Sequence, residues 1–347
     1  MNMTLFYISS GLFLGWSLGA NDAANLFGTA VGAKVIKFKT AAIIMSIFVI
    51  IGAVSSGAGA SHTLGKLGDI TSLPGAFIVA LASAVTVFIM TTYGLPVSTS
   101  QAIVGAIIGW NLFSSNPTSV TVLSKIVLTW VLCPLLAAVF SILFYKLFVR
   151  KTQKLKLNIF MRHYYIRMGL IIVGAFGAYS LGANNIANVM GVFTNSIEFP
   201  PIDLYFFTIS KIEALFFLGA IAIAVGIFTY SHNVMATVGN SIYKISPSSA
   251  LIVVLSSSFV LFLFGSVSLQ HLLISLHLPT IPLVPVSSSQ AIVGSIIGIG
   301  LARGDKNINL TKLRNISFGW LLTPVLSLIL SYVSLFFMQN VFMQAVY

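Results

Sequence analysis

The chain has 347 residues, of which 57% are hydrophobic and 7% charged, and its mean hydropathy is +1.01. A soluble domain carries about a quarter charged residues, so this composition excludes a soluble enzyme, a disordered chain and a nucleic-acid binder. The net charge of +12 reflects 18 Lys+Arg against six acids: Asp22, Asp69, Glu198, Asp203, Glu213 and Asp305. A single cysteine, Cys133, leaves no disulfide framework and no multi-cysteine metal site. Composition therefore predicts an all-α polytopic membrane protein.

A spanning helix needs about 20 mostly apolar residues. In chain order the predicted segments are 4–33, 40–60, 75–93, 97–113, 120–146, 164–190, 204–229, 249–267, 283–302 and 312–339. The segments at 97–113 and 283–302 are short and rich in Gly and Ser, and read either as full spans or as re-entrant hairpins. No Lys or Arg precedes the first apolar run, which is unlike the basic start of a signal peptide. Cytoplasmic loops are enriched in Lys and Arg. With the N-terminus outside, Lys34, Lys37, Lys39, Lys146, Arg150, Lys151, Lys154, Lys156, Arg162, Arg167, Lys244, Arg303, Lys306, Lys312 and Arg314 fall in the cytoplasm. Only Lys66, Lys125 and Lys211 fall outside, so the charge is read as a topology signal. The longest polar stretch, 150–163, divides the chain into a first repeat (1–149), a cytoplasmic basic linker (150–163) and a second repeat (164–347).

The halves share four motifs in the same order. GANDAAN (19–25) matches GANNIAN (182–188), and TLGKLGDITS (63–72) echoes TVGNSIYKIS (237–246). PVSTSQAIVGAIIG (96–109) matches PVSSSQAIVGSIIG (285–298), and Trp130 with Pro134 matches Trp320 with Pro324. About five segments per half, an odd number, gives two inverted-topology repeats with broken helices or re-entrant hairpins at the substrate site. That is an architecture of secondary transporters, whose sites lie where corresponding motifs meet.

Pro96 disfavours helix at Leu95, and Ser98, Thr99 and Ser100 then stand at a helix start. A helix N-terminus offers free N–H groups and partial positive charge, which suits an anion. Ser287, Ser288 and Ser289 repeat the arrangement, so two helix starts and six hydroxyls are available to a tetrahedral oxyanion. The structural alternative is that the hydroxyls bond back to helix carbonyls. In the first Asn-rich motif Gly19-Ala20 marks a possible break in the helix, and Asn21, Asp22 and Asn25 share a helix face. An ionisable group inside the membrane is a functional-site hypothesis by default, which singles out Asp22. Oxygen-rich ligands suit a hard cation, Na⁺ here, and Asn184, Asn185 and Asn188 supply the second copy. Gln101 and Gln290 are placed to bridge cation and anion. The alternatives are amide hydrogen bonding between helices, or proton coupling through Asp22. Lys211 and Glu213 read as a local polar anchor, and His62 and His232 as non-ligands. No cluster has transition-metal spacing, and neither a Walker motif nor a catalytic triad is present, so the chain reads as no enzyme, with no cofactor beyond the coupling ion.

GANDAANLFG, GANNIANVMG, PVSTSQAIVG and PVSSSQAIVG together resemble the PiT family of inorganic phosphate transporters. The resemblance implies import of inorganic phosphate across the plasma membrane by alternating access, coupled to Na⁺ or H⁺. It also implies external termini, a cytoplasmic linker and a homodimer in the lipid bilayer. Carried over, the ion ligands fall on Asn21, Asp22, Asn25, Asn184, Asn185 and Asn188, and the phosphate-binding hydroxyls on Ser98, Thr99, Ser100, Ser287, Ser288 and Ser289. Three positions depart from many members, which have Asp at Asn185 and His at Gln101 and Gln290. Related permeases carry sulfate, so a sulfate or other oxyanion symporter is the alternative, and an anion channel a more distant one.

Overall fold

The computed structural model describes residues 2–32, 34–93, 97–149, 158–197, 202–204, 207–232, 235, 246–304 and 309–347. At residues 2, 23, 25, 29, 149, 202–204 and 207–209 it describes the backbone alone. The first half comprises α1 (Asn2–Gly32), α2 (Phe38–Ser56), α3 (Ala58–Gly65), α4 (Leu73–Thr92), α5 (Thr99–Phe113) and α6 (Val120–Phe144). A π-helical turn, Tyr145–Val149, leads toward the linker, and residues 150–157 lie outside the described residues. The second half comprises α7 (Ile159–Met190), α8 (Lys211–Thr229), α9 (Pro247–Gly265), α10 (Val267–Ser275), α11 (Ser288–Arg303) and α12 (Leu310–Asn340). A small antiparallel ribbon, β1 (Ile202–Leu204) and β2 (Phe207–Ile209), precedes α8.

Among the described residues eight helices are long and apolar enough to cross a membrane: α1, α2, α4, α6, α7, α8, α9 and α12. On α6, Val127, Leu128, Val131, Leu135 and Val139 are exposed, and on α12 Leu321, Val325, Ile329 and Val333. Helical spacing puts each set on one face, an apolar stripe suited to lipid.

The two short segments are not spans. α5 has 15 residues and α11 has 16. At 1.5 Å per residue each is about 22–24 Å long, short of the roughly 30 Å hydrocarbon core. Contacts at the ends of α4 and α5 show a hairpin. Trp110 Nε1, near the end of α5, donates to the Val346 carbonyl at 2.8 Å, and Gly75, near the start of α4, lies against both groups. Phe77 stacks on Phe6 at 5.2 Å, which brings the start of α1 to the same end. The other end of the hairpin, Thr91 and Thr99, meets Asn21 and Asp22 inside α1. Hence α4 and α5 enter and leave on one side. α9 and α11 open the other way: Ile252 packs with Ile292, Ile296 and Ile316 beside Tyr145, at the linker end.

Helix pairings come in equivalent couples. α1 packs on α8 as α7 packs on α2, α1 on α4 as α7 on α9, and α5 on α12 as α11 on α6. Across the last couple, the Gly105 backbone rests on the Pro324 carbonyl and Gly294 on the Pro134 carbonyl, at approaches that a Cβ would not allow. The matched prolines thus serve the opposite half, not their own.

Three expectations change. α1 runs unbroken through Gly19-Ala20, because Gly19 serves close packing against the Ile223 backbone of α8. Leu204 and residues 207–209 belong to the ribbon, so the helix expected from 204 begins at Lys211, where Ser210 and Glu213 form a capping box. Residues 283–287 are not helical. They form the approach to α11, and α10, before them, has no buried residue.

Candidate ion and anion centre

Each serine motif caps its helix as its spacing predicts. The Gln101 amide donates to Ser98 Oγ at 3.2 Å, and the Gln290 amide to Ser287 Oγ at 3.2 Å. Both helix starts are buried: Ser98, Thr99, Ser100, Ser287, Ser288 and Ser289 each have at most 2% of their surface exposed. Thr99 and Ser100 reach other elements, and Ser287 and Ser289 reach each other.

Around Asp22, Thr99 Oγ1 donates to Oδ2 at 2.7 Å. Ser288, the counterpart of Thr99, comes up to the same carboxylate from the other half without a bond of good geometry. Asn21 Nδ2 donates to Thr91 Oγ1 at 2.6 Å. The second copy is wired differently. Asn188 Nδ2 donates to Ser100 Oγ and to Asn185 Oδ1, both at 2.9 Å. The Ser100 hydroxyl has Val286 O at 3.0 Å and Asn185 Oδ1 at 3.3 Å as acceptors. Asn184 binds backbone with both ends: Nδ2 donates to the Val284 carbonyl at 3.0 Å, and Oδ1 accepts from the Val286 amide at 2.8 Å. Ser287 and Ser289 share a hydroxyl–hydroxyl bond of 3.0 Å. The side chain of Asn25 lies outside the described residues.

Buried polar atoms without partners are rare and costly. Five oxygens here are buried with no donor: Asn21 Oδ1, Asp22 Oδ1, Gln101 Oε1, Asn188 Oδ1 and Gln290 Oε1. Two donors are equally unused, Asn185 Nδ2 and Ser288 Oγ. Unpartnered carbonyl oxygens with one carboxylate match the ligand chemistry of a hard cation. Unused N–H and O–H groups beside two helix starts match an anion. Both sets lie on the motif residues of α1, α5, α7 and α11, and hydrogen bonds join Asp22 to Thr99 and Ser100 to Asn185 and Asn188 across those helices.

Thr91 and the backbone of 284–286 were not foreseen. The shared capping serines Ser72 and Ser246 align Thr91 with Gly265, and Gly265 lies against Asn184. Lacking a threonine there, Asn184 turns to backbone.

A polytopic helical protein with paired helix hairpins meeting at a buried polar centre is a membrane transporter. The sequence profile of the phosphate transporter family matches residues 18–331. The chain belongs to that family. A protein of Methanocaldococcus jannaschii described as a phosphate permease is 30% identical, with 92% of this chain and 93% of the relative covered. The sulfate permease CysP of Bacillus subtilis is also 30% identical, over 96% of this chain and 88% of the relative. Among solved structures, a sodium-dependent phosphate transporter superposes with a TM-score of 0.71 at 25% identity, covering 96% of this chain and 99% of that one.

Proposed function

We propose that this chain imports inorganic phosphate across the plasma membrane, driven by cotransported Na⁺. The observation that carries the reading is the set of five unpartnered oxygens beside unused donors at two helix starts. In this mechanism Na⁺ is cargo. It binds among Asp22, Asn21, Asn188, Gln101 and Gln290, with Asn25 completing the set. Its charge offsets that of the anion, which docks on Ser98, Thr99, Ser100, Ser287, Ser288, Ser289 and the Asn185 amide. Asn184 positions the approach to α11. The α4–α5 and α9–α11 hairpins, opening to opposite ends, then expose the centre alternately. The equivalent helix pairings support two inverted repeats. The basic-residue count supports external termini and a cytoplasmic linker. A homodimer is part of the proposal from family resemblance.

Proteoliposomes with Na⁺ and H⁺ gradients imposed separately test the coupling. Concentrative phosphate uptake is expected with Na⁺ alone. Uptake with H⁺ alone would replace Na⁺ by a proton, and equilibration without accumulation would indicate a channel. A sulfate reading is favoured by one specific observation, the match to a sulfate permease. Excess sulfate is expected to leave labelled phosphate uptake intact, and strong competition would move the substrate to sulfate.

A further inference from the structure

Beyond the buried centre, α3, the turn after it, the end of α7 and the start of α8 enclose an open cavity of about 740 Å³. Its charged lining among the described residues is Lys66, Lys211 and Asp69, with His62 and Ser61 alongside. Lys66 and Lys211 are two of the three basic residues that the topology places outside, and they come from different halves. Neither takes part in an ion pair among the described residues. Asp69 is held differently: its Oδ1 accepts from Asn195 Nδ2 at 2.9 Å, which ties the carboxylate to the wall.

The cavity adjoins the end of the helix that carries Asn188. Thr194 and Asn195 line it, just past the 3-10 turn Gly191–Phe193 that follows α7, the helix carrying Asn188 of the centre. Ser61 of the wall lies beside Gly191, and Ile186 packs against Gly57. The internal repeat does not reproduce the charge: Lys66 and Asp69 align with Asn240 and Tyr243.

We infer that this cavity is an outer receiving site for a tetrahedral oxyanion, held between Lys66 and Lys211 before it enters the buried centre. The inference rests on the proposed import of an oxyanion from this side. Lys66 is exposed and Lys211 half-buried, and solvated ammonium groups of this kind attract an anion at range and hold it weakly. That suits a first stop from which the anion must move on, and complements a centre whose motifs have no basic residue.

The test is acetylation of the purified full-length protein in detergent by an amine-reactive ester, read peptide by peptide by mass spectrometry. Inorganic phosphate is compared with gluconate at equal ionic strength. Phosphate is expected to slow modification of Lys66 and Lys211 severalfold and to leave the exposed Lys125 unchanged. Equal rates at all three lysines would overturn the inference. In proteoliposomes the K66Q/K211Q variant is expected to raise the KM for phosphate about fivefold, an effect that fades in high salt. A KM equal to wild type would also overturn it, with K125Q as the control. Protection of the lysines in a protein that shows no uptake would sink the import reading and leave the receiving site standing.

Discussion

The two halves build the same corner twice, and only the first carries a charge. At the first corner Asp22 takes one strong bond, from Thr99, and keeps Oδ1 free. At the second, Asn185 accepts from Asn188 and keeps a donor free. The same backbone plan thus presents an unused acceptor on one side and an unused donor on the other. In the proposed mechanism this frame takes a cation and an anion side by side, and the Asp22/Asn185 difference supplies its one charge.

The sharpest way to break this contrast is to remove the charge. D22N is expected to lower Na⁺-driven phosphate uptake by roughly two to three orders of magnitude, the scale of deleting one partner of a buried ion pair. Full uptake in proteoliposomes would end the assignment. Moving the acid across, in D22N/N185D, is expected not to restore uptake, since Asn185 lies among Ser100 and Asn188 and not beside Thr99. Restored uptake would mean that the corners are interchangeable. The frame itself should be symmetric. G105A and G294A each push a methyl into a proline carbonyl of the opposite half. Each is expected to destabilise by about 2–3 kcal/mol through overpacking, seen as similar drops in Tm in detergent. Clearly unequal drops would deny the equivalence.

Smaller effects separate the hydroxyls. Ser100 joins both halves, accepting from Asn188 and reaching Val286. S100A leaves the Asn188 donor with one acceptor fewer and is expected to raise the phosphate KM about tenfold. Among the described residues Ser289 bonds to Ser287 alone, so S289A is expected to cost about threefold. The reverse order in a KM comparison would place the anion nearer the second helix start.

Much of this was legible in sequence. Serine spacing after Pro-Val predicted both caps, because an N-cap is a local preference that needs no tertiary information. Burial of Asp22 followed from its position in an apolar run. The hairpins remained ambiguous, because length alone does not say whether a short apolar segment exits on the side it entered. Gly19 was misread as a break. Glycine permits both a kink and a close approach, and only the Ile223 backbone decides between them. The bond of Thr91 to Asn21 links positions 70 residues apart, with no local pattern to announce it.

The crossed packing of the prolines has a consequence for biogenesis. Pro134 is covered by Gly294, 160 residues later in the chain, and Pro324 by Gly105. During synthesis the first half therefore enters the bilayer with its α6 seam open, and it stays open until α11 arrives. Neither half is a finished folding unit. If the chain were cut within 150–157 and the pieces coexpressed, they should find each other through these seams, whereas either piece alone presents an uncovered proline carbonyl to lipid.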